Sequence, residues 1–280
     1  MVVRRHGRTG AVFAAMVGLL VCGTSVTGCS GSGAAAEDAH SADDTVGVLH
    51  RAAPTLVRAG SSRARTSMEM ATGGTRVTIR GEGVYDFHGR LGRLTVTLPQ
   101  DPAGAAEHRP ITELLAPGAL FMKNRGAGVP ADKWVRVDTA TLLDGNLVTG
   151  GATDPYAAAE LLRGVRKARY VGRTEVAGTP VRHYRGITDI GLAARSASAG
   201  NRGPLRSAAK GFATAEVPFD AYLDDQGRVR KLRQRFDFVN GERKTTVEVT
   251  STTLLYGFGT PARVVLPAAG DIFAGKIAER

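Results

Sequence analysis

The stretch Arg93-Leu94-Thr95-Val96-Thr97-Leu98 carries the pattern that decides the fold. Leucine or valine stands at every second position, and arginine or threonine fills the positions between them. Successive side chains of a β-strand point to opposite faces of the sheet, so this alternation predicts a strand with one apolar and one polar face. Such strands are typical of antiparallel sheets that pack on one side and meet water on the other.

The alternation extends to both sides of this stretch, across residues 63–134. Val77 and Ile79 point one way, whereas Thr78 and Arg80 point the other way. We therefore predict a meander of half-buried antiparallel strands in this region. Its turns are predicted at Gly73-Gly74, His88-Gly89 and Pro99.

Strand patterns return in the second half of the chain. The predicted strands span residues 169–176, 180–187, 217–223, 229–238 and 243–255. Asn240-Gly241 between the last two is a strong hairpin signal, because both residues tolerate the positive φ of a two-residue turn. The tail after Gly259 contains Pro261 and Pro267, and we expect it to be an extended edge segment.

Helical patterns separate these strand regions. Asp154-Pro155 is typical of a helix start, with aspartate as the N-cap and proline in the first turn. Apolar residues from Val46 to Leu56 predict an N-terminal helix that ends at Gly60 and is kinked or split near Pro54. Residues 189–213 predict one or two weak helices, broken at Gly200–Pro204. The fold class is therefore α+β, with a sheet that wraps and helices packed on one of its faces.

The N-terminus has the organisation of a bacterial secretory signal. Three arginines, in residues 1–8, precede an apolar segment at 11–21 that is too short to span a membrane. Val26-Thr27-Gly28-Cys29 then matches a lipoprotein cleavage box. We predict that residues 1–28 are removed and that Cys29 carries a diacylglyceryl group, which anchors the chain to the extracytoplasmic face of the cell membrane. An ordinary signal peptide that happens to contain a cysteine is the alternative.

Composition limits what the mature chain does. Residues 29–44 are small and polar and predict a flexible tether, and 45–280 predict a single domain. Loss of the three arginines lowers the formal net charge from +11 to +8. A basic protein outside the cell is attracted to anionic lipid headgroups or acidic wall polymers. Nucleic acid is not a predicted partner, because the arginines are scattered and are not interleaved with stacking aromatics.

No catalytic or metal-binding pattern is found in the sequence. Both cysteines lie in residues 1–29, so the folded body has no thiol nucleophile and no disulfide. The histidines are isolated from one another, and no Gly-x-Ser-x-Gly elbow occurs. The carboxylates near Asp220 and Asp224 do not have the spacing of a calcium loop, and a polar turn explains them. We therefore predict no enzyme activity, no cofactor and no metal.

The order of these features resembles the actinobacterial envelope lipoproteins of the LppX/LprG type, which are similar in shape to the Gram-negative carrier LolA. A lipobox cysteine and tether are followed by an N-terminal helix, by Leu120-Phe121-Met122-Lys123, and by Trp134-Val135-Arg136-Val137-Asp138. A strand–turn–strand unit over residues 219–231 comes late in the chain. The resemblance covers residues 45–260. It implies a curved antiparallel half-barrel with helices on its concave face, enclosing an apolar pocket for the acyl chains of a lipid or glycolipid.

The function that the resemblance implies is to bind such a lipid and to carry or present it across the envelope, with an envelope transporter as a further partner. The alternation adds candidates for the pocket lining: Val77, Ile79, Leu94, Val96, Leu98, Leu120, Met122, Phe219, Leu223, Leu232 and Phe236. Arg80 and Arg233 are candidates for a phosphate contact at the mouth. The alternative is a membrane-anchored sensor or scaffold that binds another envelope protein and has a filled core.

Overall fold

The structure, a computed structural model, describes residues 44–72, 75–99, 109–240 and 245–275. These residues form one antiparallel sheet of eleven strands and five short α-helices. The predicted signal peptide, Cys29 and the tether up to residue 43 lie outside the described residues. Within the described ranges, no helix is long and apolar enough to cross a membrane.

The strands that come first and last along the chain pair with each other at the centre of the sheet. The strands are β1 (Ser61–Thr72), β2 (Thr75–Asp86), β3 (Leu91–Thr97), β4 (Ile111–Ala116), β5 (Ala119–Lys123), β6 (Val135–Asp138), β7 (Val165–Val176), β8 (Thr179–Asp189), β9 (Glu216–Leu223), β10 (Val229–Asn240) and β11 (Thr245–Tyr256). Their spatial order is β6-β5-β4-β3-β2-β1-β11-β10-β9-β8-β7. β6 and β7 are the two edges, so the sheet is open, and the predicted α+β half-barrel is confirmed.

The period-two pattern gives the sheet two distinct faces. Leu94 and Val96 of β3 are fully buried, whereas Arg93 and Thr95 are exposed. Alternate apolar residues of β2, β5, β9 and β10 lie on the same side, whereas most residues of β7 are exposed. We call this side, which the helices cover, the inner face, and the opposite side the outer face.

The helices begin and end close to where the sequence predicted. They are α1 (44–50), α2 (Ala52–Ala59), α3 (Pro155–Leu161), α4 (Ile190–Ser196) and α5 (Ala199–Gly211). The N-terminal helix is split at Arg51 and ends at Gly60, whose φ is 81°. At α3, the carboxylate of Asp154 accepts hydrogen bonds from the backbone N–H of Tyr156 (2.7 Å) and of Ala157 (3.1 Å).

The predicted break at Gly200–Pro204 was wrong. The interruption lies at Ala197 and Ser198 between α4 and α5, and Pro204 is inside α5. Proline and glycine disfavour a helix by roughly 3 and 1 kcal/mol relative to alanine, so the helical form here depends on tertiary contacts. One of these is at Gly200, where an added Cβ would lie 2.5 Å from the Cβ of Pro117. Packing has overridden local propensity.

Small residues on the central strands let the chain between β6 and β7 lie directly on the sheet. At Gly81 an added Cβ would lie 2.5 Å from the Thr66 hydroxyl and 3.3 Å from the Cβ of Ala152. The hydroxyls of Thr153 and Ser251 are 2.6 Å apart. This contact places α3 against the inner face.

The cap of α3 generates a stability prediction. Asp154 also accepts a hydrogen bond from the Tyr85 hydroxyl (3.1 Å), so Asp154→Ala leaves three donors without their acceptor. We expect the free energy of unfolding to fall by about 2 kcal/mol, measured by chemical denaturation at neutral pH. Asp154→Asn keeps an acceptor and is the matched control, with a smaller expected loss. Equal losses in the two variants would contradict the assigned cap.

Candidate functional site

All eleven residues predicted to line a pocket lie on the inner face. Nine of them are buried in one apolar cluster: Ile79, Leu94, Val96, Leu120, Met122, Phe219, Leu223, Leu232 and Phe236. Val77 and Leu98 pack against the same cluster and are partly buried. The structure therefore brings these side chains together, and their contact with a lipid stays a prediction.

The space between the sheet and the helices is filled by side chains in this structure. Gly151 approaches Ile79 and Val96, and Tyr156 and Leu161 of α3 are also buried in the cluster. A cavity of about 20 Å³ lies between β4–β5 and the helices α3 and α5. That volume holds about one water molecule, whereas pockets for small ligands measure roughly 300–1,000 Å³. Among the described residues, the apolar pocket that the resemblance implies is closed at this place, because the small central residues admit the chain of residues 147–161.

Helix α5 lies across the inner face. Its N-terminal end packs at Gly200 against the turn between β4 and β5, and its C-terminal end leads to Phe212, whose ring stacks on Phe236 at 5.0 Å. Between these ends, an added Cβ on Gly145 would lie 2.2 Å from the carbonyl oxygen of Pro204. We call α4 and α5 together the helical lid, since both helices pack on the inner face.

A buried carboxylate fastens the helical lid to α3. Glu160 is fully buried. Its oxygens accept hydrogen bonds from the backbone N–H and hydroxyl of Ser198 (2.9 Å each) and from the amide of Asn201 (2.8 Å), while Arg163 lies 3.6 Å away. The linker between α4 and α5 is thus held by one side chain, whose bonds must break before the lid can move.

The apolar cluster reaches the surface at one end of the sheet. Five of its members are partly exposed there: Met70, Val77, Leu98, Val148 and Phe238. Three of the strands that carry them lead into the segments 73–74, 100–108 and 241–244, which lie outside the described residues. We call these five residues the apolar rim.

One carboxyl group lies within the apolar cluster near this rim. Glu113 of β4 is fully buried, opposite Leu94 and Met122 on the neighbouring strands. Neither of its oxygens has a hydrogen-bond partner among the described residues. Burial raises the pKa of Glu113 to about 8, and the more distant charge of Arg125 offsets only part of that effect. Glu113 therefore keeps its proton at neutral pH and can donate a hydrogen bond. The sequence did not predict this role, because Glu113 belongs to no recognisable motif.

The two arginines proposed for a phosphate contact face the wrong way. Arg80 lies beside the inner-facing Ile79 and lines a concavity on the outer face. Arg233 lies opposite Asp220 and Thr252 on the neighbouring strands, also on the outer face. The alternation that put Ile79 inside already placed Arg80 outside, so the sequence contained the signal for this correction.

A histidine that the sequence left isolated has partners across the strands. His183 Nε2 lies 2.7 Å from the carboxylate of Asp220, which also accepts a hydrogen bond from Arg185 (2.7 Å). The His183 ring stacks on Tyr222 at 4.3 Å. Burial alone would raise the pKa of Asp220, but these two hydrogen bonds outweigh it and lower the pKa. The cluster is a satisfied outer-face network that links β8 and β9.

Glu113 generates a prediction about pH. Its folded-state pKa of about 8 exceeds the ordinary value of 4.5, so the folded protein holds this proton more tightly than the unfolded chain. Stability is therefore lost as the pH rises towards 8, by roughly 2 kcal/mol between pH 6 and pH 8. We expect Glu113→Gln to remove that fall, measured by urea denaturation at both pH values.

The matched control for this experiment is Glu82→Gln. Glu82 lies on the outer face, with 59% of its side chain exposed, and pairs with Arg65. The control should keep the wild-type pH dependence, because it retains Glu113 and removes only an exposed carboxylate whose pKa is lowered by its hydrogen bond with Arg65. Identical slopes for wild type and Glu113→Gln would contradict the buried neutral carboxyl.

Comparison with known proteins finds similar solved structures at low identity. The lipoprotein LppX of Mycobacterium tuberculosis is 9% identical, with 80% of this chain and 99% of that chain covered and a TM-score of 0.46. LprF from Mycobacterium bovis is 11% identical, with 81% and 98% covered and a TM-score of 0.41. A LolA superfamily protein from Nitrosomonas europaea is 9% identical, with 75% and 93% covered and a TM-score of 0.31.

No family model and no curated protein matches the sequence. The likeness to LppX-type and LolA-type proteins, expected from the order of the sequence features, is thus found among solved structures as well. Because every one of these TM-scores is below 0.5, what the chain binds has to be argued from its own residues.

Proposed function

We propose that this chain is an envelope lipoprotein that binds the acyl chains of a lipid or glycolipid between its sheet and its helical lid. In this proposal Cys29 carries the membrane anchor, and the bound lipid is carried or presented at the extracytoplasmic face. The observation that supports it best is the continuous apolar inner face, which is covered by short helices and ends in the apolar rim.

The hydrophobic effect supplies the driving force for such binding. Each buried methylene contributes about 0.8 kcal/mol, so a 16-carbon chain gains on the order of 12 kcal/mol on leaving water. The inner face offers aliphatic and aromatic side chains for this contact, and Glu113 offers a neutral donor just inside the apolar rim. Apolar pockets with a few polar groups are typical lipid and small-molecule sites. No catalytic step is needed.

Binding requires the filled inner space to open, and the helical lid is the part suited to move. Helix α5 contains Gly200, Gly203 and Pro204, which weaken it as an isolated helix. Elements that move on ligand binding come from the less stable parts of a fold. We therefore propose that α5 swings away from the turn at Thr139–Thr141 when an acyl chain enters from the rim.

The filled interior also favours a second function. With a cavity of about 20 Å³, the domain in this structure is a packed module. A sensor or scaffold that binds another envelope protein through its surface needs no more than that. The two functions differ in whether the lid opens, which makes lid opening the property to test.

A disulfide across the lid tests the proposal. An added Cβ on Gly203 would lie 3.2 Å from the Cβ of Ala140, close to the separation of roughly 3.5–4.5 Å in disulfides. The folded body contains no other cysteine. We expect the oxidised Ala140→Cys/Gly203→Cys protein to bind a fluorescent fatty acid at least about tenfold more weakly than its reduced form, since the lid is locked.

The single variant Gly203→Cys is the matched control, and its binding should not respond to oxidation. Mass spectrometry of lipid extracted from the purified wild-type protein runs in parallel. If the oxidised and reduced proteins bind the fatty acid equally well, the proposal that the acyl chain enters beneath α5 is wrong. A protein that binds no acyl probe in any form and carries no lipid would overturn the lipid function and leave the packed module.

A further inference from the structure

An open groove lies on the outer face, on the side of the sheet away from the helical lid. It runs over strands β7 to β10 and has a volume of about 810 Å³. Its apolar lining includes the side chains of Ile187 and Pro218 on the outer face. We call this concavity the outer groove. Its place on the outer face separates it from the inner apolar cluster that the proposed lipid site uses.

Cations without partners surround the outer groove. Arg166, Lys167, Arg169 and Arg235 line it, and none of them forms an ion pair with a described residue. The remaining basic residue, Arg185, is held by Asp220.

Two acidic residues also line the groove, and they do not cancel this charge. The carboxylate of Asp189 accepts a hydrogen bond from Leu192 as the N-cap of α4, and Glu216 is exposed. Four uncompensated cations therefore face one exposed carboxylate and one capping carboxylate. The outer groove attracts an anionic partner.

Apolar side chains are exposed beside these cations. Ile187 in the groove is 50% exposed, and Val171 on the edge strand β7 is 40% exposed, whereas the ring of Tyr170 packs on Tyr184 of the inner cluster. Cations beside exposed apolar side chains are the composition of surfaces that lie at a membrane interface. The neighbouring β7 is also an edge strand, which raises the alternative of an added peptide strand. Its pairing with β8 shifts at Val165/Lys167 and Tyr170/Gly172, and such bulges disfavour strand addition.

The start of the described domain lies at the same edge of the sheet. His50 Nε2 is 2.8 Å from the carbonyl oxygen of Val165, so α1 contacts the beginning of β7. The charge of Asp44 is close enough to Tyr184 of β8 to contribute to the raised pKa of that phenol, after the larger effect of burial. The sequence predicts a flexible tether from Cys29 to Asp44, and a flexible chain of that length has an r.m.s. span on the order of 20 Å, so the proposed anchor would stay near this edge.

We propose that the outer groove and β7 dock on an anionic lipid leaflet, with lipid phosphates at the four unpaired cations and Ile187 among the headgroups. This inference rests on the anchoring in the proposed function, and it does not use the inner lipid site. Docking in this way would turn one edge of the sheet towards the membrane and hold the domain in one orientation.

A depth measurement on the anchored protein tests the docking. After acylation of Cys29 and loss of Cys22 with the signal, Ile187→Cys supplies the one free thiol of the mature chain. The acylated full chain, labelled there with bimane, is reconstituted into phosphatidylcholine vesicles with or without phosphatidylglycerol, both containing headgroup-nitroxide lipid. We expect quenching that requires phosphatidylglycerol and that weakens in molar salt.

Two triple variants, each of which loses three positive charges, distinguish binding at the outer groove from general electrostatic attraction to the vesicle. Lys167→Gln/Arg169→Gln/Arg235→Gln should reduce the ratio of docked to undocked protein on the order of 100-fold. Arg76→Gln/Arg80→Gln/Arg93→Gln removes three arginines of β2 and β3 that form no ion pair with a described residue, and this variant should leave most of the quenching.

The outcomes distinguish this inference from the proposed function. Docking would be overturned if the label is not quenched, if quenching does not depend on phosphatidylglycerol, or if both variants reduce quenching equally. It would also be overturned if a protein partner, and not lipid, shields the label. Flotation of the same vesicles reports whether the chain is anchored, and lipid extraction before reconstitution reports on the inner site. If the chain floats with the vesicles and carries lipid but its label is not quenched, only the docking proposal is overturned.

Discussion

The contact between the central strands and the chain that crosses them is the constraint on which the rest of the structure depends. An open sheet with one apolar face has to cover that face, and here the connection between β6 and β7 lies directly on the central strands while the other helices pack around it. It can lie on the strands because Gly81 and Ser251 leave room for Ala152 and Thr153. Larger residues at these positions would lift α3 from the sheet and expose the apolar cluster.

That constraint explains how far the sequence predicted the fold. Period-two alternation assigns each strand residue to a face, so Leu94 and Phe236 could be placed together without knowledge of the pairing partners. The start of α3 at Asp154 could also be predicted, because capping is local chemistry. The break within 189–213 was misplaced, since contacts of Gly200 and Pro204 with distant backbone decide where that helix begins. Those contacts leave no local trace.

The candidate site was predicted less completely than the fold. Which residues share the inner face follows from alternation, but the volume that they enclose depends on how closely the crossing chain approaches. The pairing of His183 with Asp220 required the register of β8 and β9, and no local pattern encodes that register. The sequence gives no sign that Glu113 is buried, because a single glutamate in a strand usually faces water. Its burial is visible only once Leu94 and Met122 flank it.

The two faces of the sheet suggest a division of roles. The inner face holds the apolar cluster, and Glu160 fastens the helical lid over it. The outer face carries the unpaired cations, close to the edge where the predicted tether begins. A carrier arranged in this way would keep its lid on the side away from the docking groove.

The most direct measurement of the central claim is a map of where an acyl chain touches the protein. A lipid with a photoreactive group near the end of its acyl chain is bound, activated by light, and located by peptide mass spectrometry. The account predicts adducts on inner-face residues of β3 and β10, such as Leu94 and Phe236. Adducts confined to outer-face residues, or none above the level of heat-unfolded protein, would contradict it.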